Sequence, residues 1–315
     1  MNIYRQLEAL PKFKRAVLSM GSFDGVHLGH QHIIKQLVQL AEAQDGETVL
    51  LTFDPHPRIV LAQKRGEQSS LRLLTTLEEK ADILEQAGIA NLVVVPFTEA
   101  FSSLSPADYL DQFLLHYFQP ACIAIGYDHK FGKGRAGDIH FLREAQKSRN
   151  FALKEFDKKE VDEIAVSSTK IRRAISEGKI MLAQQLLGRP YSFSGKVVKG
   201  LQLGRKLGFP TANISIENPY KLLPPEGIYV AQVILPNGEK KQGMLYRGPR
   251  PTLENEPNIT VEINIFDFEG DLYGQELKVE MLKYLRADVR FENLDQLSAQ
   301  LAKDRLDSLA FFAQQ

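Results

Sequence analysis

Cysteine is nearly absent from this chain. The single thiol, Cys122, has no partner for an internal disulfide, so nothing requires an oxidising compartment. Excess charge is absent as well: 39 Lys and Arg stand against 39 Asp and Glu. Neither half leans to one sign, with 23 of each in residues 1–184 and 16 of each in the remainder. A general polyanion binder is strongly basic, so no nucleic acid and no anionic membrane surface is expected as a partner. No window approaches the ~20 uncharged apolar residues of a membrane span. The opening stretch Met1–Val17 shows no continuous apolar run and no small-residue cleavage site. A cytoplasmic protein, monomeric or a weak homo-oligomer, is the expectation. Histidine is missing beyond residue 140. Acid–base chemistry in the C-terminal part therefore falls to a carboxylate, Lys or Tyr.

The composition that remains is that of a globular chain, 43% hydrophobic and 25% charged, and 315 residues are enough for two domains. Ala16–Met20, Thr48–Phe53, Asn91–Pro96 and Cys122–Gly126 read as buried strands, with Phe151–Phe156 as a fifth. Helical patterns near 30–44, 76–88, 106–118 and 138–149 separate them, and short helices at 169–177 and 180–187 follow. This alternation predicts a parallel sheet covered on both faces. From Tyr191 the texture changes. Ser192–Val198, Asn213–Ile216, Ile228–Leu235, Gln242–Tyr246, Ile259–Phe266 and Leu277–Leu282 predict short strands, with a hairpin turn at Pro236-Asn237-Gly238. A small antiparallel barrel or sandwich is expected there. An amphipathic helix over Asn293–Ala313 closes the chain, with Leu294, Leu297, Leu301, Leu306 and Leu309 near one face. The expected domains are 1–184 and 185–315.

The first strand runs into Gly21-Ser22-Phe23-Asp24-Gly25-Val26-His27-Leu28-Gly29-His30, and a helix follows. In a parallel sheet this is the ligand-binding rim, at a helix N-terminus that favours anions. Two histidines three apart share a helix face, and each imidazole can donate to a phosphate oxygen. Surface histidines on a capping loop are one alternative. Zinc on His27, His30 and His32 is another, although no Cys pair or nearby carboxylate completes a tetrahedral set. Gly132-Lys133-Gly134-Arg135-Ala136-Gly137 matches G-x-G-x-x-G, with Asp157 twenty residues on, but it follows the fourth strand at a distance. Lys130, Lys133 and Arg135 point instead to a mobile basic loop that grips phosphate. Thr52-Phe53-Asp54-Pro55-His56-Pro57 ends the second strand on the same rim. Ser167-Ser168-Thr169-Lys170-Ile171-Arg172 offers capping hydroxyls followed by cations, suited either to plain capping or to a polyphosphate.

In the second half, Gly200, Gly204, Arg205, Gly208 and Phe209-Pro210-Thr211-Ala212-Asn213 form a glycine-rich loop entering a strand. It is no Walker loop, yet the Thr211 hydroxyl and the Asn213 amide oxygen suit a magnesium ion. A barrel corner needing glycine is the alternative. Strand alternation puts Glu262 and Asn264 on one face, opposite Val261, Ile263 and Ile265.

Taken together and in order, these segments resemble the bacterial bifunctional riboflavin kinase/FMN adenylyltransferase (FAD synthetase) family. The N-terminal resemblance rests on Gly-x-Phe-Asp-Gly-Val-His-x-Gly-His, Pro55-His56-Pro57, Gly126-Tyr127-Asp128 with Phe131-Gly132, and the Ser-Ser-Thr-x-Ile-Arg run. The C-terminal one rests on Leu186 to Tyr191, Gly204 to Asn213, Gly227-Ile228-Tyr229, Arg250-Pro251-Thr252 and Asp271-Leu272-Tyr273-Gly274. The resemblance implies an α/β Rossmann-like nucleotidyltransferase domain with a parallel sheet, then a small antiparallel β-barrel riboflavin kinase domain with a C-terminal helix. It implies riboflavin, FMN, FAD and ATP as ligands, Mg²⁺ as cofactor with ATP as co-substrate, and no tightly bound prosthetic group.

It also implies roles for residues. Gly21, Phe23, Asp24, Gly25, His27, Gly29, His30, Ser168, Thr169 and Arg172 would bind the ATP of adenylyl transfer, with His27 and His30 at its phosphates. Phe53, His56, Asp128, Phe131 and Arg135 would lie near the flavin nucleotide. In the kinase half, Gly204, Arg205, Gly208, Pro210, Thr211 and Asn213 would bind ATP, Thr211 and Asn213 would hold Mg²⁺, and Glu262 would be the base. Leu285, Arg286 and Phe291 would cover the flavin. Lys170 stands where Arg is frequent, His129 where Phe is frequent, and Asn264 where His is frequent. Tyr246-Arg247-Gly248-Pro249 replaces a usual Asn-Ile-Gly pattern. A non-catalytic flavin sensor and a transferase acting on another phosphate ester are the competing functions.

Overall fold

The computed structural model describes residues 1–156, 166–200, 204, 207–249 and 259–314. Two compact units divide the chain, Met1–Ser167 and Ser168–Gln315. Asp157, Arg205 and Arg250-Pro251-Thr252 lie outside the described residues.

The first unit is built on six parallel strands: β1 (Asn2–Tyr4), β2 (Val17–Met20), β3 (Thr48–Asp54), β4 (Asn91–Pro96), β5 (Cys122–Gly126) and β6 (Ala152–Phe156). Their spatial order is β1-β4-β3-β2-β5-β6. Four of them are continuous apolar runs because both faces are covered. Leu18, Val49, Leu51, Val93, Val95 and Ile125 face one cluster, whereas Val17, Leu50, Leu92, Val94 and Ala124 face the other. Helices α1 (Leu28–Ala43) and α3 (Leu77–Gln86) cover the second face through Ile34, Leu37, Ala81 and Leu84. The helical run α4 over 106–118 and α5 (Ile139–Ala145) cover the first, through Leu110, Phe113, Leu114 and Leu142. Tyr109–Leu115 within α4 is π-helical. α2 (Pro57–Lys64) and β1 were not expected. The segment expected to end the second strand also starts a helix: Pro57 occupies the first helical turn and His56 caps it.

The order in which strands are added reverses between β2 and β5. The chain builds outward from β2 through β3 to β4, then starts again at β5 on the other side. At such a switch point the loops leaving the carboxyl ends part and open a crevice. The loops after β2, β3 and β5 are those that carry the candidate residues.

In the second unit, α6 (Ser168–Ser176) and α7 (Ile180–Leu187) pack on each other, and α7 packs on β7 (Tyr191–Val198) and β12 (Glu276–Arg286). The compact units therefore part at Ser167/Ser168, whereas the compositional boundary was drawn after residue 184. With β8 (Ala212–Ser215), β9 (Gly227–Ile234), β10 (Lys240–Pro249) and β11 (Ile259–Ile265), these strands close an antiparallel barrel in the order β10-β11-β8-β7-β12-β9. Closure removes the exposed sheet edge. The C-terminal helix α8 (Leu294–Phe312) has the expected extent but not the expected register. Leu294 and Leu306 are 67% and 66% exposed, while Asp304 and Ser308 are buried. The cause is an ion pair: both Asp304 carboxylate oxygens accept from Arg286, at 2.8 and 2.6 Å. Breaking a buried pair leaves an uncompensated charge. Asp304→Ala is therefore expected to lower unfolding free energy by about 3 kcal/mol, measured by urea denaturation.

Candidate functional site

The loop after β2 is bent by residues in the left-handed region. Phe23 and Val26 have φ of 44° and 36°, and Gly25 lies between them at 82°. A β-branched residue in that region is strained by about 1–3 kcal/mol, and such strain gathers at functional sites. Asp24 is 2% exposed and turns inward. Its carboxylate accepts from Leu74 N at 2.9 Å and Thr75 N at 3.1 Å, anchoring the loop to the segment before α3. The structure thus places Asp24 beneath the loop, while Gly21, Phe23 and Gly25 shape it. A Cβ on Gly25 would collide with Leu74.

His27 is the N-cap of α1, and its Nδ1 accepts from His30 N at 3.4 Å. That contact puts the proton of the neutral ring on Nε2, which can donate to an anion. The His27 and His30 rings stack at 3.8 Å with planes 17° apart, and Phe23 backs His30 at 5.1 Å. Gly29 lies under this stack, where an added Cβ would stand 3.3 Å from the His27 ring. The two imidazoles thus form one unit at a helix N-terminus. Among the described residues no cluster of three His, Cys, Asp or Glu could hold a metal, so they offer zinc no such set around His27 and His30.

Next along the rim, β3 ends in Phe53-Asp54, and His56 caps α2 by accepting from Arg58 N at 3.1 Å. Phe53 meets Phe97 at 5.6 Å and Phe101 at 5.9 Å, making a half-buried aromatic group that sequence reasoning did not single out. Phe97 follows the end of β4 just as the loop residues follow β3, and that position was the available signal. Beyond β5, exposed Asp128 lies in a turn with Tyr127, and Phe131 is buried against Tyr109 at 5.1 Å. His129 has no partner for Nε2 among the described residues. Burial draws its pKa down to about 4, with Arg135 reinforcing and Asp128 opposing. A neutral ring therefore stands where the family resemblance leads one to expect Phe.

The basic loop after Phe131 is held rather than loose. Phe131 and Gly137 exchange two backbone hydrogen bonds of 3.0 and 2.9 Å, Lys133 N donates to Leu104 O, and Lys130 pairs with Asp138 at 3.1 Å. Lys133 and Arg135 remain exposed at its tip. It opens no helix directly from a strand, so it is not a dinucleotide turn. Ser168, Thr169 and Arg172 lie in the first two turns of α6, in the second unit.

In the barrel, register explains the second site. Glu262 pairs with Asn213 on one side and Tyr246 on the other, so the three side chains share one face. Thr211 Oγ1 donates to Glu262 Oε2 at 2.9 Å. Asn213 Oδ1 accepts from Thr260 Oγ1 at 3.3 Å, and Asn264 Nδ2 donates to Pro210 O at 2.7 Å. Asn264 thereby fixes the segment that carries Thr211. Gly200 has no alternative, since a Cβ there would overlap the Asn213 amide. Gly204 O accepts from Phe209 N at 2.8 Å, folding the loop back, and Gly208 turns it at φ 79°. Tyr246 donates to Asp288 Oδ2 at 3.1 Å, and burial together with Asp288 and Glu262 pushes its pKa up. This ties the Leu285–Phe291 segment to the wall that carries Glu262. Arg286 is held by Asp304, with its guanidinium 6.0 Å from the Phe291 ring. Its first task in this structure is to hold the segment to α8. The half-buried Arg247 guanidinium lies near Glu226, and burial holds its pKa down.

Comparison with known proteins agrees with the division into two units. The FAD synthetase family model matches residues 10–170, and the riboflavin kinase model matches residues 187–312. A bifunctional riboflavin kinase/FMN adenylyltransferase of Listeria monocytogenes is 39% identical over 94% of this chain and 92% of its own length. One from Bacillus subtilis is 36% identical over 95% and 93%. A crystal structure titled as a macrolide-efflux protein from Streptococcus pneumoniae superposes with a TM-score of 0.82, at 27% identity and 97% coverage of both chains. Among the described residues of the present chain, no helix is long and apolar enough to cross a membrane. With both modules matched and relatives aligned end to end, the chain belongs to the bifunctional riboflavin kinase/FMN adenylyltransferase family.

Proposed function

We propose that this chain converts riboflavin to FAD in two ATP-dependent steps, one in each unit. In the barrel, Glu262 takes the proton of the ribityl 5′-hydroxyl as that oxygen bonds to the γ-phosphorus of ATP. The bond from the γ-phosphorus to the bridging oxygen breaks, and ADP leaves. Thr211 donates to Glu262 and so orients the carboxylate, leaving one of its oxygens for the substrate. Such transfer needs alignment and charge neutralisation more than covalent catalysis.

The oxygens of Thr211 and Asn213 suit Mg²⁺, a hard cation that takes one or two protein ligands alongside substrate phosphates. When bound it would neutralise charge on the ATP phosphates. The hydroxyl, amide and carboxylate oxygens gathered on one barrel face fit it.

In the first unit, an FMN phosphate oxygen attacks the α-phosphorus of ATP and pyrophosphate leaves. His27 and His30 donate to the phosphates at the N-terminus of α1, where the helix dipole adds positive potential. Phe53, His56 and Asp128 contact the flavin nucleotide. Leu285 and Phe291 cover the flavin of the kinase step. The observation that carries this reading is the stacked His27–His30 pair capping α1, in a chain that also holds the Thr211–Glu262 contact.

The test is direct. Incubation with riboflavin and Mg-ATP, followed by chromatographic separation of flavins, is expected to yield FMN first and FAD after it. Absence of both at high enzyme concentration overturns the proposal, and FMN without FAD overturns its N-terminal half.

A further inference from the structure

Behind the strand-end loops of the first unit lies a cation that the mechanism above does not use. Lys80 stands on α3, directly after the Glu79 of the helix's capping box, and is 6% exposed. Its Nζ donates to Thr52 Oγ1 at 3.0 Å, and that hydroxyl donates to Ser22 O at 3.4 Å. Thr52 is the residue before Phe53 on β3, and Ser22 belongs to the loop that ends in His27. Asp24 in that loop, Asp54 at the end of β3 and Glu78 on α3 are the charged groups facing the ammonium. Asp24 is in turn fixed by Leu74 and Thr75. One buried ammonium thus stands where the roots of two ligand-facing loops meet.

We propose that Lys80 is a positioning residue of adenylyl transfer: its ammonium ties the ends of β2 and β3 together and offsets Asp24 and Asp54, so that the His27–His30 loop accepts a polyphosphate. The proposal rests on the reading of the first unit given above. Its physics is local charge balance. Asp24, buried at the base of a loop that receives an anion, repels it, and solvent screens a buried charge poorly, while the exposed Asp54 adds a smaller, better-screened share. The Lys80 charge cancels part of that repulsion without touching the nucleotide. The side chain is also placed to lose its charge. Burial draws the ammonium pKa down to about 8, against the pull of Asp24, Asp54 and Glu78. Raising pH through that value removes a positive charge, so nucleotide affinity falls as pH rises.

The experiment follows FMN-to-FAD conversion with Mg-ATP varied, from about pH 6.5 to 9.5, in the full-length wild type, K80M and K80R. For the wild type, the KM for ATP is expected to rise about tenfold across pH 8, the equivalent of about 1.4 kcal/mol, with a smaller change in kcat. K80M should show the raised KM already at pH 7 and no further rise. K80R, charged throughout, should restore a low KM and lack the alkaline rise. Riboflavin phosphorylation by the barrel in the same samples reports that each variant is intact. K80M within twofold of wild type at pH 7, or with the alkaline rise retained, overturns the role of Lys80 alone. A wild type that makes no FAD from FMN overturns that role together with the reading of the domain. Should K80M fail to fold, the wild-type rise and its loss in K80R decide.

Discussion

Glu262→Gln is expected to lower FMN formation by about 10³-fold, the range in which a positioned general base contributes. Conversion of supplied FMN to FAD should stay within about twofold, because the variant alters only the barrel. The substitution keeps the shape of the side chain. The amide oxygen still accepts from Thr211, the strand pairing with Asn213 and Tyr246 is a backbone property, and neither Asn213 nor Asn264 bonds to the lost charge. What disappears is the ability to take the hydroxyl proton. Separating the two reactions in one preparation, by starting from riboflavin and then from FMN, makes each the control for the other. Equal loss of both steps would refute the division of labour, and unchanged FMN formation would remove Glu262 from the role of base.

The legible parts of this chain are those where a local pattern and the tertiary environment agree. β4 and β5 fall where the apolar runs put them, since a strand buried on both faces is apolar throughout. All six barrel strands were visible as short alternating runs, and their bounds shifted by a few residues because turns rather than periodicity end them. The three-residue β1 was not legible: its pairing with Asn91, Leu92 and Val93 is long-range and leaves no period. The leucines of α8 misled for a different reason. Asp304 faces inward because Arg286 waits there, and a sequence pattern records hydrophobicity but not a distant ion-pair partner.

The same distinction runs through the candidate sites. His27 and His30 announce themselves by spacing at a helix start, whereas Thr211, Asn213 and Glu262 take their roles from the family motif, since a strand carboxylate by itself is usually solvent-facing. Lys80 does not announce itself: the sequence marks only a helical pattern around it, and the folding of two remote loops over it makes it buried. Asp24 reads as a ligand-facing acid from its motif, whereas its carboxylate spends itself on Leu74 and Thr75. Residues whose partners are local can be assigned from the sequence. Those whose partners come from another loop require the fold.

His30→Ala is expected to act as the mirror image of the Glu262 variant. FAD formation from FMN should fall by about 10²–10³, the loss that follows removal of one donor to a charge-developing oxygen. FMN formation from riboflavin should persist. The alanine removes both the His30 donor and the ring that stacks on His27 at 3.8 Å, so His27 loses its lateral support as well. A companion variant separates chemistry from capping. His27 Nδ1 caps α1 by accepting from His30 N, and Asn is among the preferred residues at that position. His27→Asn should therefore preserve the helix start, with thermal stability within about 1 kcal/mol of wild type, while FAD formation still falls. If His27→Asn retains full adenylyl transfer, the ring serves only as a cap, and the phosphate-handling role passes to His30 alone.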